Sequence, residues 1–177
     1  MQSDRRDHVA RLVVLVSVVY ALAVSMWLGG LVVLGAVVAP TVFRIVPAPT
    51  SADAMTVVFG RFDRVAMTCA AVALVAEATL AARGGRVRRT DLLRGAFAAG
   101  AAALAIAVGA WLSPGIASLH RGGAVRGYAE SGLALERLHR LAETAGKGQV
   151  ALLVAVLVLL LFRVARRVDL PRIPSDH

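Results

Sequence analysis

The sequence is poor in cysteine, aromatic residues and lysine. Cys69 is its single cysteine, so an intrachain disulfide and a cysteine-based zinc site are both excluded. Aromatic residues make up 5% of the chain, and Lys147 is the one lysine among 20 Lys and Arg residues. Phosphate-loop, CxxCH and Ser-His-Asp or Cys-His patterns are also missing. No set of catalytic residues is therefore predicted.

Long uncharged runs are what the sequence has in abundance. It is 58% hydrophobic, and Leu12–Ala39 contains no charged residue. About 20 apolar residues suffice to cross the ~30 Å hydrocarbon core of a bilayer. The run is also about twice as long as the ~7–15-residue apolar region of a secretory signal. It therefore predicts an uncleaved transmembrane helix and the lipid bilayer as the chain's main partner.

The whole pattern predicts an all-α integral membrane four-helix bundle. The expected helices cover residues 12–39, 54–83, 92–112 and 133–167, between a cytoplasmic N-terminal tail (1–11) and a flexible cytoplasmic tail (168–177). Pro40 and the Ser113–Gly115 segment are expected to stop the first and third helices. Small residues at four-residue spacing, such as Ser25 and Gly29, predict close helix packing. Alternatively, one of these small-residue faces forms the contact of a homodimer.

The basic residues flank the apolar runs. The net charge is +9, and 12 of the 20 Lys and Arg residues lie before helix one, at or between the adjoining ends of helices two and three, or at or after the C-terminal end of helix four. Because such clusters face the cytoplasm, both termini are predicted inside, in the cell (inner) membrane. This placement accounts for the positive charge without nucleic-acid binding, which is not predicted.

Glu77 is the one acid deep in an apolar run. A charge in a bilayer is a functional-site hypothesis by default. Glu77 could thus serve a small-solute or proton-coupled carrier. Alternatively it is protonated, or it bonds a Ser, Thr79 or an Arg near the inner interface.

Other polar groups collect at the predicted outer side. They are Arg61, Asp63, His120, Glu136, His139, Glu143 and Lys147. Glu136 and His139 have the Glu-x-x-His spacing of di-iron bundles, but those need two such motifs and this chain has one. His120 and His139 could bind haem, or copper together with Met26 or Met67. The leading prediction has no cofactor, and a haem- or copper-handling protein is the alternative.

Five short motifs occur in a characteristic order. They are Trp27–Gly30, Val38–Phe43, Gly60–Phe62, Ser113–Ile116 and Leu135–His139. Their order and spacing resemble the bacterial members of the transmembrane protein 205-like family, also called domain of unknown function 4149. The matching positions are Trp27, Gly30, Pro40, Phe43, Phe62, Pro114 and His139. The resemblance implies a multi-pass membrane protein without an assigned biochemical activity, with a structural or accessory role.

Overall fold

The structure, a computed structural model, describes residues 2–83 and 88–167, and this part of the chain is helical without strands. Its helices are α1 (Gln2–Val33), α2 (Ala39–Ile45), α3 (Thr50–Arg83), α4 (Arg89–Ala107), α5 (Ser113–Arg121) and α6 (Ala129–Arg167). Two π-helical turns, Leu34–Val38 and Val108–Leu112, join α1 to α2 and α4 to α5 without a break. The predicted tail at 168–177 lies outside the described residues.

In the described part of the chain, four continuous helical stretches are long and apolar enough to span a membrane. They are His8–Ile45, Thr50–Arg83, Arg89–Arg121 and Ala129–Arg163. Their long helices pack in a ring in the order α1, α3, α4 and α6, with α6 returning to contact α1. We call the end where α1 begins and α6 ends the terminal end, and the opposite end the distal end. The predicted all-helical bundle with four spans is confirmed.

Both prolines expected to stop a helix are instead passed by it. The first stretch continues beyond Pro40 to Ile45, and the third continues beyond Pro114 to Arg121. In each case a π turn ends two residues before the proline, and the residue between them donates its backbone N–H to the carbonyl five residues earlier. A proline cannot donate to the preceding turn and its ring crowds that turn. The wider π turn followed by a fresh first helical turn accommodates both restrictions.

Small residues make up most of the buried positions of α3 and α4. The buried alanines are Ala66, Ala70, Ala73 and Ala76 on α3, and Ala98, Ala101, Ala102 and Ala105 on α4. Their short side chains allow the close backbone approach that membrane helices favour. On α1, however, Ser25 and Gly29 face outward, while Tyr20, Val24 and Trp27 are buried. Bulky residues therefore make the internal seam of α1, and the homodimer through small faces stays a prediction.

Candidate functional site

The α3–α4 hairpin brings a buried ion pair together near the terminal end. Glu77 lies six residues before the end of α3 at Arg83, and Arg94 lies five residues after the start of α4 at Arg89. Antiparallel neighbours equidistant from a turn lie level with each other. The Arg94 Nε donates to Glu77 Oε1 at 2.5 Å, and a terminal nitrogen of Arg94 donates to Oε2 at 2.9 Å. Both carboxylate oxygens of Glu77 are thus engaged.

Two further charged residues complete this group, which we call the terminal charge cluster: Glu77, Asp91, Arg94 and Arg163. A second terminal nitrogen of Arg94 donates to Asp91 Oδ1 at 3.2 Å, and Arg163 lies 3.5 Å from the same oxygen. Two acids and two arginines give the cluster a formal charge of zero. Because Asp91 and Arg94 belong to α4, Glu77 to α3 and Arg163 to α6, the cluster ties three helices together.

Arg94 is 2% exposed, and α1 covers it with an aromatic ring. The guanidinium carbon lies 5.9 Å from the ring centroid of Tyr20, within the range of a cation–π interaction. The Tyr20 hydroxyl is itself buried and has no hydrogen-bond partner among the described residues. Tyr20 therefore contributes its ring face to the cluster, and all four long helices meet at the terminal charge cluster.

A second polar contact joins α1 to α6 in the middle of the bundle. The indole Nε1 of Trp27 donates to the Gln149 side-chain oxygen at 3.1 Å. Trp27 is fully buried and Gln149 is 3% exposed. A buried indole N–H needs an acceptor, and Gln149 supplies it from the helix across the bundle. Beyond this level α2 packs on α3 and has no buried residue.

Asp63 lies on the buried face of α3, opposite the π turn Val108–Leu112. The Ser113 hydroxyl donates to Asp63 Oδ2 at 2.6 Å. Gly109 in the π turn permits the close approach, because a Cβ there would lie 3.3 Å from Asp63 Cβ and 3.1 Å from Met67 Sδ. Asp63 is 9% exposed, whereas Arg61 and Arg64 on the same helix are exposed. Asp63 therefore faces the interior of the bundle, whereas Arg61 and Arg64 face outward.

The two histidines singled out from the sequence meet at the distal end. The rings of His120 on α5 and His139 on α6 stack edge to face, with centroids 5.8 Å apart and planes at 69°. Within residues 2–83 and 88–167 no group of three or more His, Cys, Asp or Glu side chains could hold a metal ion. A metal at this place would thus have two histidine ligands and complete its shell from elsewhere.

The acids on α6 near His139 are engaged in exposed ion pairs. Glu136 pairs with Arg140 at 3.3 Å, and Glu143 pairs with Lys147 at 2.7 Å. Both pairs have i, i+4 spacing with the acid first, the favourable order on a helix. The predicted acidic residues therefore divide into three separate places: Glu77 at the terminal charge cluster, Asp63 inside the bundle, and Glu136 and Glu143 on the surface of α6.

The positions of the family motifs also fall into distinct settings. Gly30 lies against the ring of Phe62, and a Cβ on Gly30 would overlap that ring. Pro40 and Phe43 are exposed on α2, and Pro114 opens α5. Gly30 and the partly buried Phe62 are therefore packing positions where α1 crosses α3, and the fully buried Trp27 belongs to the core of the bundle.

Fold and contacts of the described residues together define a class: a protein of four packed helices, each long and apolar enough to span a membrane, with a buried ion pair near the terminal end. A family model described as "Domain of unknown function (DUF4149)" matches residues 22–124, which is more than half of the chain. The chain belongs to this family. Comparisons with curated proteins and with solved structures found no match.

Proposed function

We propose that this chain is a structural or accessory component of the cell membrane, with no catalytic activity of its own. The observation that carries the proposal is the bidentate pair between Glu77 and Arg94. A carrier's titrating acid must exchange its partner during each cycle. Glu77 instead has both oxygens bonded to a guanidinium that is 2% exposed and held by Asp91 as well. Its setting supports a role in assembling the helices.

The proposal also includes the orientation of the chain in the membrane and its relationship to bacterial transmembrane protein 205-like proteins. With 12 of the 20 basic residues at the terminal end by sequence, the positive-inside rule directs both termini to the cytoplasm. The terminal charge cluster then lies near the cytoplasmic face and the histidine pair near the outer face. The order of the motifs further supports kinship with bacterial transmembrane protein 205-like proteins.

Flux measurements on the purified chain test this role. Proteoliposomes with wild-type protein should show no proton flux above protein-free vesicles, and Glu77→Gln should leave that baseline unchanged while lowering stability. Glu143→Gln is the matched control, since Glu143 sits in an exposed ion pair. A proton flux that disappears in Glu77→Gln alone would replace the structural proposal with the proton-coupled carrier.

The histidine pair favours a second candidate, a copper- or haem-handling protein. Imidazole nitrogens bind metal ions at about 2.0 Å, and rings 5.8 Å apart can turn their nitrogens towards one ion. Arg126 acts electrostatically on His139, and this positive charge opposes a bound cation. The candidate therefore ranks second.

Metal analysis and a visible spectrum of the protein purified in mild detergent separate the two candidates. Stoichiometric copper or a Soret band, lost in His120→Ala and in His139→Ala but kept in His8→Ala, would establish the second candidate. A colourless, metal-free protein that fails to bind added copper would remove it.

A further inference from the structure

Asp63 is the one buried acid among the described residues, and it has no cationic partner there. Four other acids on the packed helices are paired: Glu77 and Asp91 with Arg94, Glu136 with Arg140, and Glu143 with Lys147. The hydrogen bond that Asp63 accepts from Ser113 comes from a neutral hydroxyl. A negative charge on Asp63 is therefore not neutralised by any of the described residues.

The charged and titratable groups nearest to Asp63 along the bundle do not form an ion pair with it. On its own helix Arg61 and Arg64 are exposed, and Arg64 donates its Nε to the backbone carbonyl of Gly60. The packed elements contribute Arg44 on α2, His120 and Arg121 on α5, and His139 with the two surface ion pairs on α6. None of these groups lies within ion-pair distance of Asp63 in the described part of the chain.

An isolated carboxylate in such surroundings is unstable. Moving an ionised carboxylate from water into a protein interior costs several kcal/mol even after relaxation, and a group in that position usually takes up a proton instead. A metal ion could neutralise the carboxylate instead, but it would need ligands spread around it. In this structure Asp63 Oδ2 and the Ser113 hydroxyl oxygen are bonded directly to each other, at 2.6 Å.

We propose that Asp63, rather than Glu77, is the buried carboxyl group in the described part of the chain that binds and releases a proton. Ser113 is its partner in both states, because a hydroxyl can donate to the carboxylate and accept from the carboxylic acid. The π turn Val108–Leu112 places Ser113 for this contact, and Gly109 lets α3 approach it. The site goes beyond the structural role proposed above and needs no transport.

Infrared difference spectroscopy of the full chain in lipid nanodiscs tests the proton directly. Wild type at neutral pH should show the C=O band of a buried carboxylic acid, shifted by exchange into D₂O and removed as the pH is raised. Asp63→Asn should lose this band and Glu77→Gln should keep it. A band lost in Glu77→Gln and kept in Asp63→Asn, or no such band in wild type, would overturn the assignment.

A second variant covers the case in which Asp63→Asn fails to fold. Ser113→Ala keeps the acid and removes one hydrogen bond, so it should move the band and its pH midpoint without abolishing either. An unchanged band in Ser113→Ala would contradict the pairing.

An apolar carbodiimide gives an independent readout. The acid adds across one C=N bond of the reagent: the carboxyl oxygen bonds to the central carbon, the proton goes to nitrogen, and nothing leaves. Mass spectrometry should find the adduct on Asp63 and not on Glu77, and less of it at high pH. Labelling on Glu77 instead would contradict the proposal.

Sodium chloride tests whether the site binds a metal cation instead. Suppression of both the infrared band and the labelling by sodium chloride, but not by choline chloride at the same pH, would identify a sodium site and overturn the assignment to a proton.

Discussion

Replacing Arg94 by glutamine tests whether the terminal charge cluster holds the helices together. Arg94 donates three hydrogen bonds, two to Glu77 and one to Asp91. Hydrogen bonds between membrane helices contribute ~0.6 kcal/mol each on average, so the lost bonds alone amount to about 2 kcal/mol. Glu77, whose side chain is 12% exposed, would also lose its cation, and removing one partner of a buried pair costs ~3–5 kcal/mol. We expect Arg94→Gln to lower the free energy of unfolding by about 3–5 kcal/mol.

The reciprocal change should be milder because the cluster is asymmetric. In Glu77→Gln the arginine keeps Asp91, and the new amide oxygen still accepts one bond. The expected loss is about 1.5–3 kcal/mol, the range for a hydrogen bond to a charged group. The double variant has neither charge unpaired, so its loss should be smaller than the two single losses combined.

Reversible unfolding of the purified protein in mixed micelles, followed by circular dichroism, measures all three variants. Glu143→Gln serves as the control for a Glu→Gln change in an exposed pair and should leave the unfolding curve in place. If Arg94→Gln unfolds no more easily than this control, the cluster does not hold the bundle together. Strictly additive losses in the double variant would likewise refute the coupling of Glu77 and Arg94.

Three further substitutions or fusions test the packing and the orientation. Gly30→Ala should destabilise the fold by about 1–3 kcal/mol through overpacking against Phe62. Phe62→Leu in the same background should recover part of this loss. Gly29→Ala is the matched control: its added Cβ meets open space, so the change should be neutral or slightly stabilising. Trp27→Phe leaves the buried Gln149 oxygen without its donor, so the free energy of unfolding should fall by about 1–3 kcal/mol. Gln149→Leu in the same background should reverse part of this effect. An unchanged free energy of unfolding in Trp27→Phe would show that this bond is dispensable. Reporter fusions at the two ends of the chain should both report the cytoplasm, and an external C-terminus would refute the orientation drawn from the basic residues.

The sequence suffices to predict the spans because their signal is local. Each span contains a long run of apolar residues, and that requirement comes from the bilayer thickness rather than from tertiary contacts. The ends are harder to predict. Pro40 and Pro114 are strong stop signals by themselves, and only a change of backbone pitch two residues earlier lets each helix continue. Nothing in the composition of Leu34–Val38 or Val108–Leu112 announces that change.

A bond between Glu77 and an Arg is one of the alternatives that the sequence offers, and the structure identifies that arginine as Arg94. Arg94 stands among the arginines of a basic loop, so counting charges assigns it to the membrane surface. The informative signal is its distance from the turn: five residues into α4, against six residues before the end of α3 for Glu77. Matching those two distances across an antiparallel hairpin predicts that the two side chains lie level. The His120–His139 contact, by comparison, depends on how α5 continues past Pro114 and has no local signal.

The two acids of α3 show why local sequence misjudges buried charge. Asp63 has arginines one residue after it and two residues before it, so it looks neutralised, whereas Glu77 stands alone in an apolar run. Each residue of a helix turns by about 100°, since one turn takes 3.6 residues, so Arg61 and Arg64 point away from Asp63 and face outward. Glu77, about 21 Å further along the helix axis, faces α4 and meets Arg94. The acid that looks isolated in the sequence is therefore the paired one, and the acid that looks paired is isolated in the fold. For that reason the search for a titrating carboxyl in this family should begin with the angular position of each acid on its helix.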